Sequence, residues 1–487
     1  MSGIGWLFSR LLSAPAAEDT RARLTIARES LPERHRTPNQ FLGAQYAGCG
    51  ATIGLMPRCD FACRGCYLGT EANRIASAPL AEIKGQLRQI RAWLGHGGNV
   101  QITDGEATLR PADELVELIR FAREIGLVPM LMSHGDGLRQ RPEMLNRLIR
   151  EGGLSEISIH IDTTQRGRLG QAYKRAASER ELMPLRDEFA ELIRRARRDT
   201  GRRLEAATTV TITRNNLSQV PDIMRWLSRN ADAFKMISFH PLAQVGRTEQ
   251  GLGGPVSVES LWRAIAQGLG GKHNDYDTLM QHKGLFGHPD CTRFVQGLVV
   301  SRPHRVPEFV ALFRGDDDRD RAFKEQFFDR FGGISFRLDN HRIEAGVRLF
   351  TMLVRQPRLM AIELPAFVSR KAAETGGGWL KFVWSWLRGT HPAHYLNIVS
   401  HHFMDAAELA TPLGRERLDS CVFKVPIRGE LVSMCAVNAL GYRERYYESL
   451  QSEDTKSFEN ERTTRHQEIS FIAASGRAAI HRSVDAV

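Results

Sequence analysis

Cys59-Asp60-Phe61-Ala62-Cys63-Arg64-Gly65-Cys66-Tyr67 carries three cysteines on one short loop, with three and then two residues between them. Thiolates are soft ligands that suit iron–sulfur clusters and zinc. A structural zinc site normally closes with four ligands, commonly from two Cys-x-x-Cys halves, and no fourth partner lies nearby in the sequence. A cubane cluster on three thiolates leaves one iron open to an exchangeable ligand. The loop follows a strand expected over 51–56, at the strand's C-terminal end. In parallel barrels that is the face that carries active sites.

Outward from this loop the hydrophobic pattern alternates between short β-rich runs and amphipathic helical periods. Strands are expected at 51–56, 99–103, 128–133, 156–161, 207–213 and 236–240. Helices are expected at 80–94, 113–125, 142–151, 180–200 and 220–230. Alternation of this kind implies parallel strands joined by right-handed crossovers. The fold class is α/β, a partial (β/α)6 barrel over 46–250. An N-terminal extension (1–45) precedes it, and a C-terminal α+β domain (251–455) and a polar tail (456–487) follow.

The chain has 487 residues and seven cysteines, an odd number that is clustered only at 59–66. A secreted disulfide framework has a different layout, so metal binding in a reducing, cytoplasmic setting is expected. The net charge of +11 favours acidic partners or reflects a solvated Arg-rich surface. Its cations are spread along helices, and no compact nucleic-acid-binding motif is visible. No apolar run is long enough for a transmembrane helix. Ile4, Leu7, Phe8, Leu11 and Leu12 share one face of an expected short amphipathic helix. The segment 378–388 places Trp379, Trp384 and Trp386 between basic residues. It suits either a lipid headgroup boundary or a helix roofing the active site.

The Cys-x3-Cys-x2-Cys loop with Tyr67 beside its last cysteine resembles the radical S-adenosylmethionine (SAM) superfamily over roughly residues 48–250. The resemblance implies a [4Fe-4S] cluster on Cys59, Cys63 and Cys66. SAM chelates the open iron, and its reductive cleavage yields a 5′-deoxyadenosyl radical that abstracts hydrogen from an unactivated carbon. An electron donor of flavodoxin or ferredoxin type is implied. Asp104-Gly105-Glu106 falls at the family's Gly-Gly-Glu-Pro position, which contacts the SAM amino group, with Asp104 in place of the first glycine. Ser133, His160, Asp162, Thr211, Asn216 and His240 stand at later strand ends as candidate SAM or substrate contacts. His160, Asp162 and His240 are also candidate proton donors or acceptors.

Cys49 precedes the first expected strand, at the far end of the barrel from the cluster loop, and is read as structural. Cys421 and Cys435 flank an expected hairpin with Arg428-Gly429 as its turn. With Cys291 they form a candidate second metal site, the alternative being buried free thiols. His288, Asp290, His402 or a substrate atom is the candidate fourth ligand. This layout resembles radical SAM enzymes with a C-terminal auxiliary cluster. More narrowly it resembles the tetraether lipid synthase branch, through His288-Pro289-Asp290-Cys291, His402-Phe403-Met404-Asp405 and Cys421…Gly429…Cys435-x-x-Asn438. Gly287 departs from that branch, which tends to carry a cysteine there, and the branch's extra N-terminal cysteine-rich site is missing. The expected substrate is a lipid or other amphiphile, with peripheral membrane contact. The alternatives are modification of a peptide or protein side chain, and a non-catalytic iron–sulfur or membrane-associated accessory protein. For the peptide alternative, residues 1–45 read as too short for a leader-binding unit.

Overall fold

The computed structural model describes residues 16–451, apart from 71, 249–251, 253, 272–273, 302–303, 334–349, 351, 376–379 and 381–392. The N-terminal amphipathic turn, the tryptophan-rich segment and the polar tail lie outside the described residues, apart from Leu380.

Six strands alternate with helices in the first half: β1 (Cys49–Ala51), β2 (Asn99–Ile102), β3 (Val128–Ser133), β4 (Glu156–His160), β5 (Glu205–Ile212) and β6 (Phe234–Pro241). The crossover helices are α1 (Leu80–Leu94), α2 (Ala112–Glu124), α3 (Pro142–Arg150), α4 (Met183–Thr200) and α5 (Val220–Arg229). Each carries its reason in sequence. In α3, Pro142 supplies the preset first turn, and Met144, Leu145, Leu148 and Ile149 form one buried stripe. Helix α4 stops at Gly201, whose φ of 64° is the left-handed cap geometry that glycine adopts freely. Strand β5 is buried along nearly its whole length, as expected of a parallel strand covered on both faces. Helices and sheet share one continuous apolar core.

The C-terminal residues complete the sheet. They supply β7 (Gly284–Leu285), β8 (Thr292–Val300), β9 (Glu308–Ala311), β10 (Ala393–His401), β11 (Phe423–Ile427) and β12 (Glu430–Ser433). The strand order is β12-β11-β1-β2-β3-β4-β5-β6-β10-β8-β7, with β9 pairing β8. Strand β10 runs parallel to β6 and β11 parallel to β1, so the parallel run extends beyond the six strands at both ends. Among the described residues, β7–β12 of the expected C-terminal α+β domain all join the barrel's sheet. The physical reason is that an open parallel sheet leaves two unpaired edges, and these strands cover them.

The sheet curls so that its ends approach. Val422, just before β11, shares an apolar cluster with Phe286, just after β7. Phe403, just after β10, stands 6.4 Å from Phe423 of β11. The β11–β12 hairpin turns at Arg428 and Gly429, both at positive φ (47° and 87°), the backbone pattern that fits a two-residue hairpin to the strand twist.

Candidate active site at the C-terminal ends of the strands

The cysteine loop leaves β1 and is gripped by the loops that follow other strands. Ala62 and Arg64 donate their N–H groups to Arg166 and Thr164, both at 2.8 Å, in the segment after β4. The Arg247 N–H, beyond β6, donates to the carbonyls of Cys66 and Leu68 at 3.0 Å. After β2, the Glu106 N–H reaches the Arg58 carbonyl at 2.9 Å. Two glycines permit the close approach. A Cβ on Gly105 would lie 2.1 Å from the Met56 carbonyl oxygen, and one on Gly246 would lie 2.4 Å from the Tyr67 backbone.

This grip brings Cys59, Cys63 and Cys66 together, all half-buried. Burial, with Cys63 and Cys66 adding to it, raises the Cys59 thiol far above its ordinary range. Burial and then Cys66 raise Cys63 to about 12. Without a metal such thiols stay protonated, and metal binding replaces the protons. The Phe61 N–H donates to Cys59 Sγ at 3.4 Å, the kind of contact that tunes cluster sulfurs.

A fourth donor stands close to Cys59: its Sγ, an Asp60 oxygen and a His134 nitrogen lie within 4.8 Å of one another. The hydrogen-bond pattern assigns His134 elsewhere. Its Nδ1 accepts from the Asp136 N–H at 3.2 Å, so the ring proton sits on Nε2, which faces Asp60 at 2.8 Å. A nitrogen carrying the ring proton is not a ligand. His134 also stacks on Phe61, with ring centroids 3.7 Å apart. Three soft donors near enough to raise one another, with the nearest imidazole otherwise engaged, fit a cluster.

Glu106 is buried and belongs to the scaffold. It accepts from Thr108 N at 3.1 Å, Thr108 Oγ1 at 2.5 Å and Ser133 Oγ at 2.7 Å. It also accepts from the His134 N–H at 2.9 Å. A buried carboxylate needs this many partners, so Glu106 and Ser133 join the exits of β2 and β3. Asn216 is likewise engaged, donating to Glu179 and to the Thr211 carbonyl at 2.9 Å.

His160, Asp162, Thr211 and His240 face the lumen side by side, since the register sets Thr211 opposite His240. His160 Nε2 lies 2.6 Å from Asp162 Oδ2 and 3.1 Å from Thr211 Oγ1. Burial pushes Asp162 up, but the His160 imidazole, the Thr164 hydroxyl and the Thr211 N–H outweigh it and hold the carboxyl well below its usual range. His240 meets His401 edge-on at 5.4 Å and Phe403 at 5.3 Å. Burial, then His401 and His160, keep His240 neutral at ordinary pH.

The remaining thiols converge at the seam where the sheet ends meet. Cys291 leads into β8, Cys421 into β11, and Cys435 follows β12. Burial is the main reason that Cys291 rises to about 11 and Cys435 to about 12; Cys435 also senses Cys421 and Cys291, and Cys291 senses Cys421. Arg417 donates to Cys291 Sγ at 3.3 Å and the Met404 N–H to Cys435 Sγ at 3.5 Å. Of the candidate fourth ligands, His288 faces Glu416 at 3.2 Å and accepts the Asp290 N–H on its other nitrogen at 3.1 Å. Nε2 of His402, by contrast, is buried without a hydrogen-bond partner. Cys49 opens β1 opposite Phe423 of β11, its N–H on the Val422 carbonyl at 2.8 Å and its Sγ 3.7 Å from Asn99 Oδ1.

Several side chains of this site carry no sequence signal. Arg168 bonds the His134 and His160 carbonyls and Asp136. Arg417 bonds both Cys291 and the His402 carbonyl. Arg443 pairs with Asp104 across 339 residues.

Three thiols of one loop at the C-terminal ends of parallel strands, ringed by polar strand-end residues, form a candidate cluster site in an α/β barrel. Residues 53–227 match the family model of the Radical SAM superfamily, and this part of the chain is a radical SAM domain. The 7,8-dihydro-6-hydroxymethylpterin dimethyltransferase of Methanocaldococcus jannaschii is 22% identical over 231 residues, 47% of this chain and 43% of that protein. The chain thus matches less than half the length of this curated relative. Two structures of native anSMEcpe with bound AdoMet, one also holding the Cp18Cys peptide, align at 13% identity. Their TM-scores are 0.31 and 0.32, over 45% of this chain and 57% and 58% of theirs. Among the described residues no helix is long and apolar enough to cross a membrane.

Proposed function

We propose that the protein is a radical SAM enzyme with a [4Fe-4S] cluster on Cys59, Cys63 and Cys66 and a second cluster on Cys291, Cys421 and Cys435. The observation that carries this reading is the convergence of each cysteine group, with N–H donors aimed at Cys59, Cys291 and Cys435. A reduced cluster held by Cys59, Cys63 and Cys66 would supply one electron to the sulfonium of bound AdoMet, breaking its C–S bond to leave methionine and a deoxyadenosyl radical able to remove a hydrogen atom from substrate carbon. The electron comes from a flavodoxin- or ferredoxin-type donor. The chain's own residues hold that chemistry: the gripped cysteine loop fixes the thiols, while His160, Asp162 and Thr211 offer polar contacts in the lumen.

The space between the two cysteine groups favours an apolar substrate portion. Tyr67, Phe403 and Phe423 pack, with Cys59 and Cys66, against one apolar cluster, and His240 and His401 beside Phe403 are held neutral mainly by burial. Apolar walls with a few polar groups suit the alkyl part of a lipid, in line with the branch of the superfamily that acts on lipid chains. The test is anaerobic reconstitution followed by AdoMet cleavage with dithionite, in the presence of diacyl phospholipid micelles, a soluble peptide or a reduced pterin. The expected result is a broad absorption near 400 nm and cleavage stimulated by the lipid. Stimulation by peptide or pterin would replace the substrate assignment. A reconstituted protein without AdoMet cleavage would leave an accessory iron–sulfur role.

A further inference from the structure

The helix that closes the described chain, α6 (Tyr442–Gln451), reaches both walls of the cofactor site through a single side chain. Arg443 is buried. One of its terminal nitrogens pairs with Asp104 Oδ1, and its guanidinium lies over the Tyr67 ring, 4.4 Å from the centroid. Tyr67 adjoins the third cysteine of the loop. Asp104 opens the segment 104–106 that follows β2. Tyr67 also bonds the Thr103 side chain, so Arg443 closes a small circuit between the cysteine loop and the β2 exit.

Asp104 needs such a partner. Its φ is 131°, in the region that favours glycine, and a glycine is what the resemblance leads one to expect there. Its carboxylate is fully occupied in holding this geometry. The Tyr447 hydroxyl reaches both oxygens at 2.7 Å, and the Gly54 N–H and Arg443 donate as well. Two of these three donors come from α6.

We propose that Arg443 is a cofactor-positioning residue. From outside the barrel core it supplies the tether that lets an aspartate take a glycine's backbone conformation, and it fixes the cysteine loop and the 104–106 segment relative to one another. The inference rests on the radical SAM reading above and adds to it a role for α6 in AdoMet affinity.

The test uses full-length reconstituted protein, with AdoMet affinity read by calorimetry and by the change AdoMet makes in the spectrum of the reduced cluster. Arg443→Met is expected to keep its iron and bind AdoMet about tenfold more weakly or worse. Adding Asp104→Gly to Arg443→Met is expected to recover most of that loss, because glycine takes the backbone conformation untethered. Removing Asp104 also removes the unpaired buried charge, so Arg443→Met with Asp104→Ala is the control: it loses the same charge, keeps the backbone cost, and is expected to recover less than the glycine variant. As a comparison, Tyr446→Phe removes bonds from the same helix to Gln86 and Glu82 and is expected to lower the melting temperature while leaving AdoMet affinity within about twofold.

Wild-type affinity in Arg443→Met, or no recovery in the double variant, would overturn the proposal. Should Arg443→Met fail to fold, Asp104→Ala against Asp104→Gly decides: both lose the carboxylate, and only alanine keeps the backbone cost. Equal affinities there would overturn it too. If wild-type protein itself binds no AdoMet, the radical SAM reading fails first, which separates the two outcomes.

Discussion

Lys235 shows how one side chain's environment becomes a measurable pH dependence. It lies on β6, half-buried, and donates to the Ala231 carbonyl at 3.1 Å. Burial, then the Arg197 cation, lowers its ammonium to about 8 from an ordinary value of 10.5. Between those two values the unfolded chain binds more protons than the folded one, so stability rises with pH through this window. Below it both states are protonated and the full penalty applies. Lys235→Met is therefore expected to stabilise the protein at pH 7 by about 2 kcal/mol. The gain should shrink by pH 10, as read from urea midpoints at both pH values; an equal gain at both would contradict the assignment. Asp104 is the opposite case: a non-glycine residue at this φ costs about 1–3 kcal/mol, offset by hydrogen bonds from charged and neutral donors. Its identity was readable as a departure from a glycine-rich pattern. Its partner was not, because 339 residues separate them.

At the level of elements, the barrel core was legible because its signals are local. Helix α1 and strand β3 end where periodicity places them, at Leu80–Leu94 and Val128–Ser133. Strand β1 is shorter than expected, Cys49–Ala51, because the chain turns away to form the cysteine loop once Thr52 has bonded the Gln101 carbonyl. The loop after β6 shows what periodicity does not encode. Gly246 and Arg247 lie against the cysteine loop, a contact with no pattern in either segment. Gly246→Ala forces a Cβ to within 2.4 Å of the Tyr67 backbone, an overpacking worth about 1–3 kcal/mol or more. Iron incorporation is expected to fall sharply while far-ultraviolet circular dichroism stays close to wild type. Normal iron loading would show that the two loops separate without consequence.

At the scale of the whole molecule, the second cysteine group sits where the sheet's two ends meet, so a cluster there would tie β8 and the β11–β12 hairpin to one another. Metal that binds only the folded state stabilises it. Cys291→Ala is expected to lower iron from about eight to about four per chain, to reduce the melting temperature, and to leave the AdoMet-induced change at the first cluster in place. An unchanged iron count would remove the second cluster. Cys63→Ala is expected to have the complementary outcome: the AdoMet response disappears and about four irons remain at the seam.

The alternation of apolar periods and the spacing of three cysteines on one loop were properties of the sequence itself, because helix, strand and ligand-loop preferences act over a few residues. Folding alone decided that the C-terminal strands cap both edges of the sheet, that Cys291, Cys421 and Cys435 converge, and that Arg443 reaches Asp104. Apart from the Cys421–Cys435 pair, which flanks one hairpin, those contacts join segments more than a hundred residues apart, and the energy that selects them arises only when burial removes water from the groups that meet.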